Sequence, residues 1–160
     1  TATFGQGLVV SPIQMVRAFA SIINGGNLLT PHVVKKMISP QREQAVEPRT
    51  TRKMIKKEVS DQIKDMLVST IENGETKFLK PKGYAIGGKT GTAQIALKGQ
   101  YDTSKTITSF VGFSPIENPK FMALVVINEP STSQWGSETA APIFFEIAKE
   151  LIVYYNIVPE

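Results

Sequence analysis

Residues Gly87-Gly88-Lys89-Thr90-Gly91-Thr92-Ala93 gather an ammonium, two hydroxyls and three glycines within seven positions, which suits them to an anionic ligand held close to backbone. Two geometries could use such a run. In the first, Gly83-Tyr84-Ala85-Ile86-Gly87-Gly88-Lys89-Thr90 is a phosphate-gripping loop of the pattern G-x-x-x-x-G-K-[ST], and Leu124-Val125-Val126-Ile127-Asn128-Glu129 mimics the acidic strand end that holds magnesium in nucleotide sites. In the second, the run is an extended strand whose free edge receives a peptide. The flanks favour the strand. A phosphate loop follows a buried apolar strand, whereas Lys77, Phe78, Leu79, Lys80, Pro81 and Lys82 stand here. It also opens a helix, and Gly91, Thr92 and Gly99 make a poor one.

Other chemistries find little support. The absence of cysteine removes disulfides, thiol catalysis and thiolate metal sites. His32 is the only histidine and follows Pro31, which reads as a surface or packing position; with no second histidine or cysteine, no metal site is expected. Eighteen basic and 14 acidic residues leave +4, but the basic residues are scattered apart from a denser run, Arg49 to Lys57. That run reads as a solvated face and argues for no nucleic-acid partner; the alternative is a surface facing anionic polymer or lipid headgroups. Trp135, beside Gly136, either lines a substrate groove or folds over the closing helix. Tyr101 and Asp102 read as solvent-exposed, with a place at the cleft border as the alternative. Phe110, Phe113 and Phe121 are core candidates.

The elements that must position the run follow from periodicity. Ser11-Pro12-Ile13-Gln14 is a capping box with proline at the first helical position. Ile13, Val16, Phe19, Ala20 and Ile23 then recur at helical spacing, and Asn24-Gly25-Gly26 ends the helix. His32 to Ile38 reads as a strand, and Ser39 to Glu58 as a polar surface excursion. A second helix is predicted over Ser60 to Glu72, with Ile63, Met66, Leu67 and Ile71 as its stripe. A loop over residues 75 to 83 precedes three strands in a meander, at about 84–97, 106–113 and 120–128. Lys98 to Lys105 reads as a loop, and Phe121 to Ile127, apolar throughout, as a strand covered on both faces. A closing helix spans about Thr139 to Tyr155, with Ile143, Ile147 and Leu151 as a stripe spaced by four and Pro142 tolerated in its first turn. No stretch of 18 apolar residues exists. The length suits one domain. The sequence opens in mid-pattern at Thr1-Ala2-Thr3-Phe4 without a starting methionine, so a longer parent protein is expected.

These motifs, taken together, resemble the class B penicillin-binding proteins, the monofunctional peptidoglycan D,D-transpeptidases. The resemblance runs through Gly5-Gln6-Gly7, Ser11-Pro12-Ile13-Gln14, Asn24-Gly25-Gly26 with Pro31, Gly88-Lys89-Thr90-Gly91-Thr92-Ala93, Ser109-Phe110-Val111-Gly112-Phe113 and Ala140-Ala141-Pro142. It implies an α+β chain, part of the serine β-lactamase/D,D-peptidase-like fold, with an antiparallel sheet flanked by helices. Residues 1–160 would be the C-terminal portion of a single transpeptidase domain. The implied reaction is acyl transfer from a D-alanyl-D-alanine stem peptide to a serine and then to an amine.

In that reading Lys89 supplies fixed positive charge beside the nucleophile and helps relay protons. Thr90 hydrogen-bonds the substrate carboxylate, and Gly91 lets the peptide lie close. The Thr92 N–H is an oxyanion donor, and Gly87 and Gly88 let a helix pack behind the strand. Strict alternation puts Lys89 and Thr90 on opposite faces, so both serve one site only if that site wraps the strand edge. The family also needs Ser-x-x-Lys and Ser-x-Asn. No serine here has lysine three residues on or asparagine two residues on, and Tyr154-Tyr155-Asn156 falls on the wrong side of the strand. No nucleophile is therefore expected in this chain, nor acylation of the chain alone. The resemblance implies no cofactor and no metal. It implies β-lactam antibiotics as covalent inhibitors and a glycan-polymerising partner protein. It also implies a location on the extracytoplasmic face of the bacterial cell membrane, held by an upstream segment. A β-lactam sensor and a serine β-lactamase stay open beside it.

Overall fold

A computed structural model describes residues 5–97 and 100–159. The opening Thr1 to Phe4, and Lys98 and Gly99 of the expected loop, lie outside the described residues.

The first helix, α1 (Pro12–Ile23), begins as its sequence dictates. The Gln14 N–H donates to Ser11 Oγ, the Ser11 N–H donates to Gln14 Oε1 at 2.8 Å, and Pro12 opens the first turn. Its inward stripe starts one turn later than the periodicity predicts. Ile13 is exposed, while Val16, Phe19 and Ala20 are partly covered and Ile23 is buried. The stop requires glycine: Gly26 sits at φ +97°, and a Cβ there would stand 2.0 Å from the Ile55 carbonyl oxygen.

The next stretch differs from expectation. Strand β1 (Asn27–Leu29) pairs antiparallel with β4 (Thr50–Lys53), and between them β2 (Lys36–Ser39) and β3 (Arg42–Ala45) form a separate hairpin. His32 to Lys35 is not strand, and the polar excursion carries regular pairing. All of β2, β3 and β4 is exposed, so no face is selected for apolar residues and the alternation that marks a half-buried strand is missing.

Helix α2 (Lys57–Glu72) starts three residues before the predicted Ser60. That serine is fully buried. Its hydroxyl donates to the Ile22 carbonyl and accepts from the Gly25 N–H at 3.1 Å, so it ties α2 to the end of α1 instead of capping a helix. Leu67 and Ile71 are buried as predicted, whereas Met66 faces solvent. A short 3-10 turn, Lys77–Leu79, lies within the expected loop.

The three-strand meander is present as an antiparallel sheet in the order β5-β6-β7, formed by β5 (Gly87–Leu97), β6 (Gln100–Ser114) and β7 (Phe121–Asn128). Tyr84 to Ile86 precede the first strand. β6 begins well before the predicted Thr106: Gln94 pairs with Thr106 but Ile95 with Asp102, so residues 103–105 bulge out of a continuing ladder. The polar excursion is stabilised locally. Asp102 Oδ1 accepts from the Ser104 N–H at 2.8 Å and hydroxyl at 2.6 Å, and Lys105 pairs with Glu129 at 2.6 Å. β7 is less covered than its composition predicts. Only Phe121 is buried and Val126 is exposed, because β7 is the far margin of the sheet; among the described residues it pairs with β6 alone.

Helices cover both faces of the sheet. Alternation along β6 sends Phe110 to one face and Phe113 to the other. Phe110 packs on α3 (Ala140–Tyr154), with ring centroids 4.7 Å from Phe144 and 5.4 Å from Phe145. Phe113 packs with Leu67 of α2 and Ile23 and Phe19 of α1. The predicted α3 stripe of Ile143, Ile147 and Leu151 is corrected: Ile143 and Ile147 are exposed and Leu151 only half-buried. The covered set is Ala140, Ala141, Phe144, Phe145, Ala148 and Ile152. Two adjacent phenylalanines outweigh two isoleucines in apolar area, and the alanines let the helix approach the sheet. Each ring removed from water contributes about 1.5–3 kcal/mol. The observed arrangement is the α+β, antiparallel-sheet architecture expected.

Candidate active site

Among the described residues β5 is an edge strand, bonded to β6 on one side only. The open side is identified by what reaches it. The Thr70 hydroxyl of α2 donates to the Gly88 carbonyl, and Lys89 Nζ donates to the Thr90 carbonyl at 3.0 Å. Backbone groups along a strand alternate between its two edges, so Gly88, Thr90 and Thr92 turn their peptide groups outward together. The Thr92 N–H therefore faces the open edge. The register supports this: Gly91, of the opposite parity, pairs with Ser109 across the ladder.

Lys89 and Thr90 start on opposite faces, as alternation requires, yet their polar ends meet. Lys89 is exposed, and its side chain curls over the strand edge until Nζ lies 3.0 Å from the Thr90 carbonyl and 3.4 Å from Thr90 Oγ1. The edge thus presents an ammonium, a hydroxyl and an outward N–H in succession. Among the described residues Lys89 makes no ion pair, so its charge is free for a ligand.

The glycines make room, though mainly for neighbouring side chains. A Cβ on Gly87 would stand 2.6 Å from the Phe113 ring, with Leu67 of α2 farther off at 3.5 Å. On Gly88 it would meet the Val111 carbonyl at 2.8 Å and the Phe110 ring at 2.9 Å. Helix approach is thus the lesser part of their role. At Gly91 the added atom would meet Ser109 Oγ at 2.5 Å.

A cavity of about 290 Å³ adjoins this edge, lined by Lys89 and Thr90 together with Thr70, Glu75, Thr76 and Ser137. None of the last four carries a sequence signal, since they come from the end of α2, the turn that follows it and the loop before α3. Gln6 of the opening segment also reaches the strand, 3.4 Å from Gln94. A larger hollow of about 540 Å³ lies elsewhere, between α1, α2 and the β6–β7 turn, and among the described residues no serine, threonine or histidine lines it.

The remaining candidates fall outside this geometry. His32 is exposed, with Nδ1 3.4 Å from the Thr30 carbonyl, and most of Arg49 to Lys57 is solvated. Trp135 is 61% exposed, in the loop before α3. Tyr101 is exposed and Asp102 belongs to the bulge, where hydrogen bonds from the Ser104 hydroxyl and N–H hold its carboxyl below the usual range. Among the described residues no three His, Cys, Asp or Glu side chains gather as for a metal, and no helix is long and apolar enough to cross a membrane. The phosphate-loop alternative is excluded: Lys89 lies inside an antiparallel strand that leads into another strand, not into a helix.

Comparison with known proteins shows the family of the chain. Residues 1–149 match the penicillin binding protein transpeptidase domain. The chain belongs to that family. A relative named Stage V sporulation protein D, from Bacillus subtilis, is 37% identical over 99% of this chain and 25% of its own length. The Peptidoglycan D,D-transpeptidase FtsI homolog of Mesostigma viride is 36% identical over 98% of this chain and 29% of its own. This transpeptidase-domain chain thus spans a quarter to a third of the curated relatives it matches. The crystal structure of penicillin binding protein 3 from Mycobacterium tuberculosis, complexed with ampicillin, superimposes with a TM-score of 0.83 at 25% identity. The match covers 98% of this chain and 37% of that one. The fold is accordingly part of the β-lactamase/D,D-peptidase fold.

Proposed function

We propose that residues 1–160 are the C-terminal portion of a peptidoglycan D,D-transpeptidase domain and supply its substrate-binding edge. The observation that carries this is the open edge of β5, where Lys89 Nζ, the Thr90 hydroxyl and the Thr92 N–H line up. A stem peptide ending in D-alanyl-D-alanine would add to that edge as an extra strand, its main chain satisfying the outward groups. The Thr90 hydroxyl binds the terminal carboxylate. A serine Oγ from the rest of the domain attacks the penultimate carbonyl. The oxygen that becomes negative is received by the Thr92 N–H, the C–N bond breaks, and D-alanine leaves with a proton. An amine of a second stem peptide then attacks the ester and releases the serine. Lys89 holds positive charge beside the serine in both steps. β-Lactams enter by the same attack and remain as esters.

The nucleophile and its lysine belong to sequence outside these residues, which contain neither motif. We place the whole enzyme on the extracytoplasmic face of the bacterial membrane, held by an upstream segment and working beside a glycan-polymerising partner. The names of the relatives as a sporulation protein and a peptidoglycan transpeptidase support a cell-wall role.

The test is β-lactam acylation of the full-length enzyme. Lys89→Ala should slow acylation by about a hundredfold or more, comparable to loss of an oxyanion donor, while thermal unfolding stays unchanged; residues 1–160 alone should take up no label. Wild-type acylation by the variant would refute the role given to Lys89. Rapid hydrolysis of the ester would instead indicate a β-lactamase.

A further inference from the structure

The segment from Gln134 to Thr139, between β7 and α3, is fixed to the sheet along its length. Thr106 Oγ1 donates to the Gln134 carbonyl at 3.2 Å, and Gln134 Nε2 donates to the Ser104 carbonyl at 2.9 Å. The Thr139 hydroxyl donates to the Trp135 carbonyl at 2.7 Å and lies 2.9 Å from the Thr108 hydroxyl, in a buried pair. Between these anchors Gly136 is buried, and its N–H donates to Thr92 Oγ1 at 3.2 Å. A Cβ on Gly136 would stand 2.7 Å from the Gly91 carbonyl oxygen and 2.8 Å from that of Ser109. Both are backbone atoms and cannot swing aside as a side chain would. Glycine is required here for space, since its φ is not in the left-handed region.

The Gly91 carbonyl and the Thr92 N–H are two ends of one planar peptide group, so they point in opposite directions and turn together. One end lies under Gly136; the other is the outward N–H at the open edge. We propose that Gly136 is a positioning residue for the oxyanion donor. By seating its backbone on the Gly91 carbonyl and binding the Thr92 hydroxyl, it sets the direction of the Thr92 N–H. The inference rests on the reading of Thr92 as oxyanion donor. Hydrogen bonds weaken steeply away from linearity, so a tilt of this peptide forfeits part of what removing the donor would cost.

The experiment is stopped-flow acylation of the full-length enzyme by a β-lactam, resolving the pre-covalent dissociation constant from the acylation rate constant. Gly136→Ala should lower the rate constant by about tenfold, a fraction of the hundred- to thousandfold for a lost donor, and leave the dissociation constant unchanged. Ile152→Val, buried at the far end of α3, should lower thermal stability and leave both constants at wild type. Thr92→Val keeps the side-chain shape but removes the acceptor of the Gly136 N–H; it should lower the rate constant in the same selective way, and it decides the matter if Gly136→Ala does not fold. Wild-type acylation by the variant that folds, or equal losses in affinity and rate, overturns the inference. Lys89→Ala in the same assay separates the two levels. If Lys89→Ala is impaired while Gly136→Ala is not, only the positioning role falls. If Lys89→Ala is unimpaired, the reading beneath it falls.

Discussion

At the scale of single residues, the run from Gly87 to Ala93 forms the open strand edge its types suggested, and the side chains that line the cavity beside it come from elsewhere in the chain. Lys89, Thr90 and Thr92 were legible because their types and order carry a pattern. Thr70, Ser137 and Gly136 were not, because each is an ordinary residue until folding brings it to β5. The clash of faces between Lys89 and Thr90 was resolved by reach: a four-carbon side chain crosses a strand edge that a shorter one could not. Another residue-scale feature is open to measurement. Asp61 lies between Lys57 and Lys64, 3.0 Å from the latter, and hydrogen bonds first from Lys57 and then from Lys64 hold its carboxyl below the usual range. A carboxyl whose folded pKa is depressed contributes its full stability above the unfolded value and loses it as the pH falls through the folded one. Asp61→Asn should therefore flatten the acid limb of the stability curve, and because the same carboxylate raises the Lys57 pKa, it should also soften the loss of stability at the strongly basic end. Urea unfolding across an acid pH series checks this; an unchanged acid limb in the variant contradicts it.

Among elements, the three-strand meander and α1 were readable because local signals and tertiary need agree there. The capping box starts α1 as predicted, and the β-branched and aromatic run at Thr106 to Phe113 is strand. Helix α2 begins three residues before its expected start at Ser60. Ser60 has the chemistry of a helix cap but serves instead as a buried tie between α2 and the end of α1. Its replacement by alanine would orphan the Gly25 N–H and the Ile22 carbonyl, at a cost of about 1–3 kcal/mol. The helix should still begin at Lys57. Chemical denaturation with circular dichroism tests both halves: a destabilised protein of unchanged helix content is expected, and loss of the first turn of α2 would mean that Ser60 acts as a cap after all. The α3 stripe failed for a different reason. Phe144 and Phe145 sit beside each other, so the helix rotates to bury both, and the isoleucines at spacing of four turn outward. The bulge at residues 103–105 has polar composition like a loop, and only the ladder resuming at Asp102 marks it as strand.

For the molecule as a whole, the architecture was legible and its coverage was not. Composition and periodicity lead to an antiparallel sheet between helices, and two apolar clusters occupy the two faces. The all-apolar strand β7 was expected to be enclosed, yet here it is the sheet's outer margin. Among the described residues no strand pairs with its outer side, and a strand edge flanked by Met122, Leu124 and Val126 is a template on which any extended chain can condense. Residues 1–160 produced alone should therefore pair rim to rim, giving a sedimentation coefficient that climbs with concentration, and a lysine in place of Val126 should suppress the climb. Both species sedimenting as monomers at every concentration would count against this. Solubility of the isolated piece would then be governed less by its net charge of +4 than by whether something is laid along that one exposed hem.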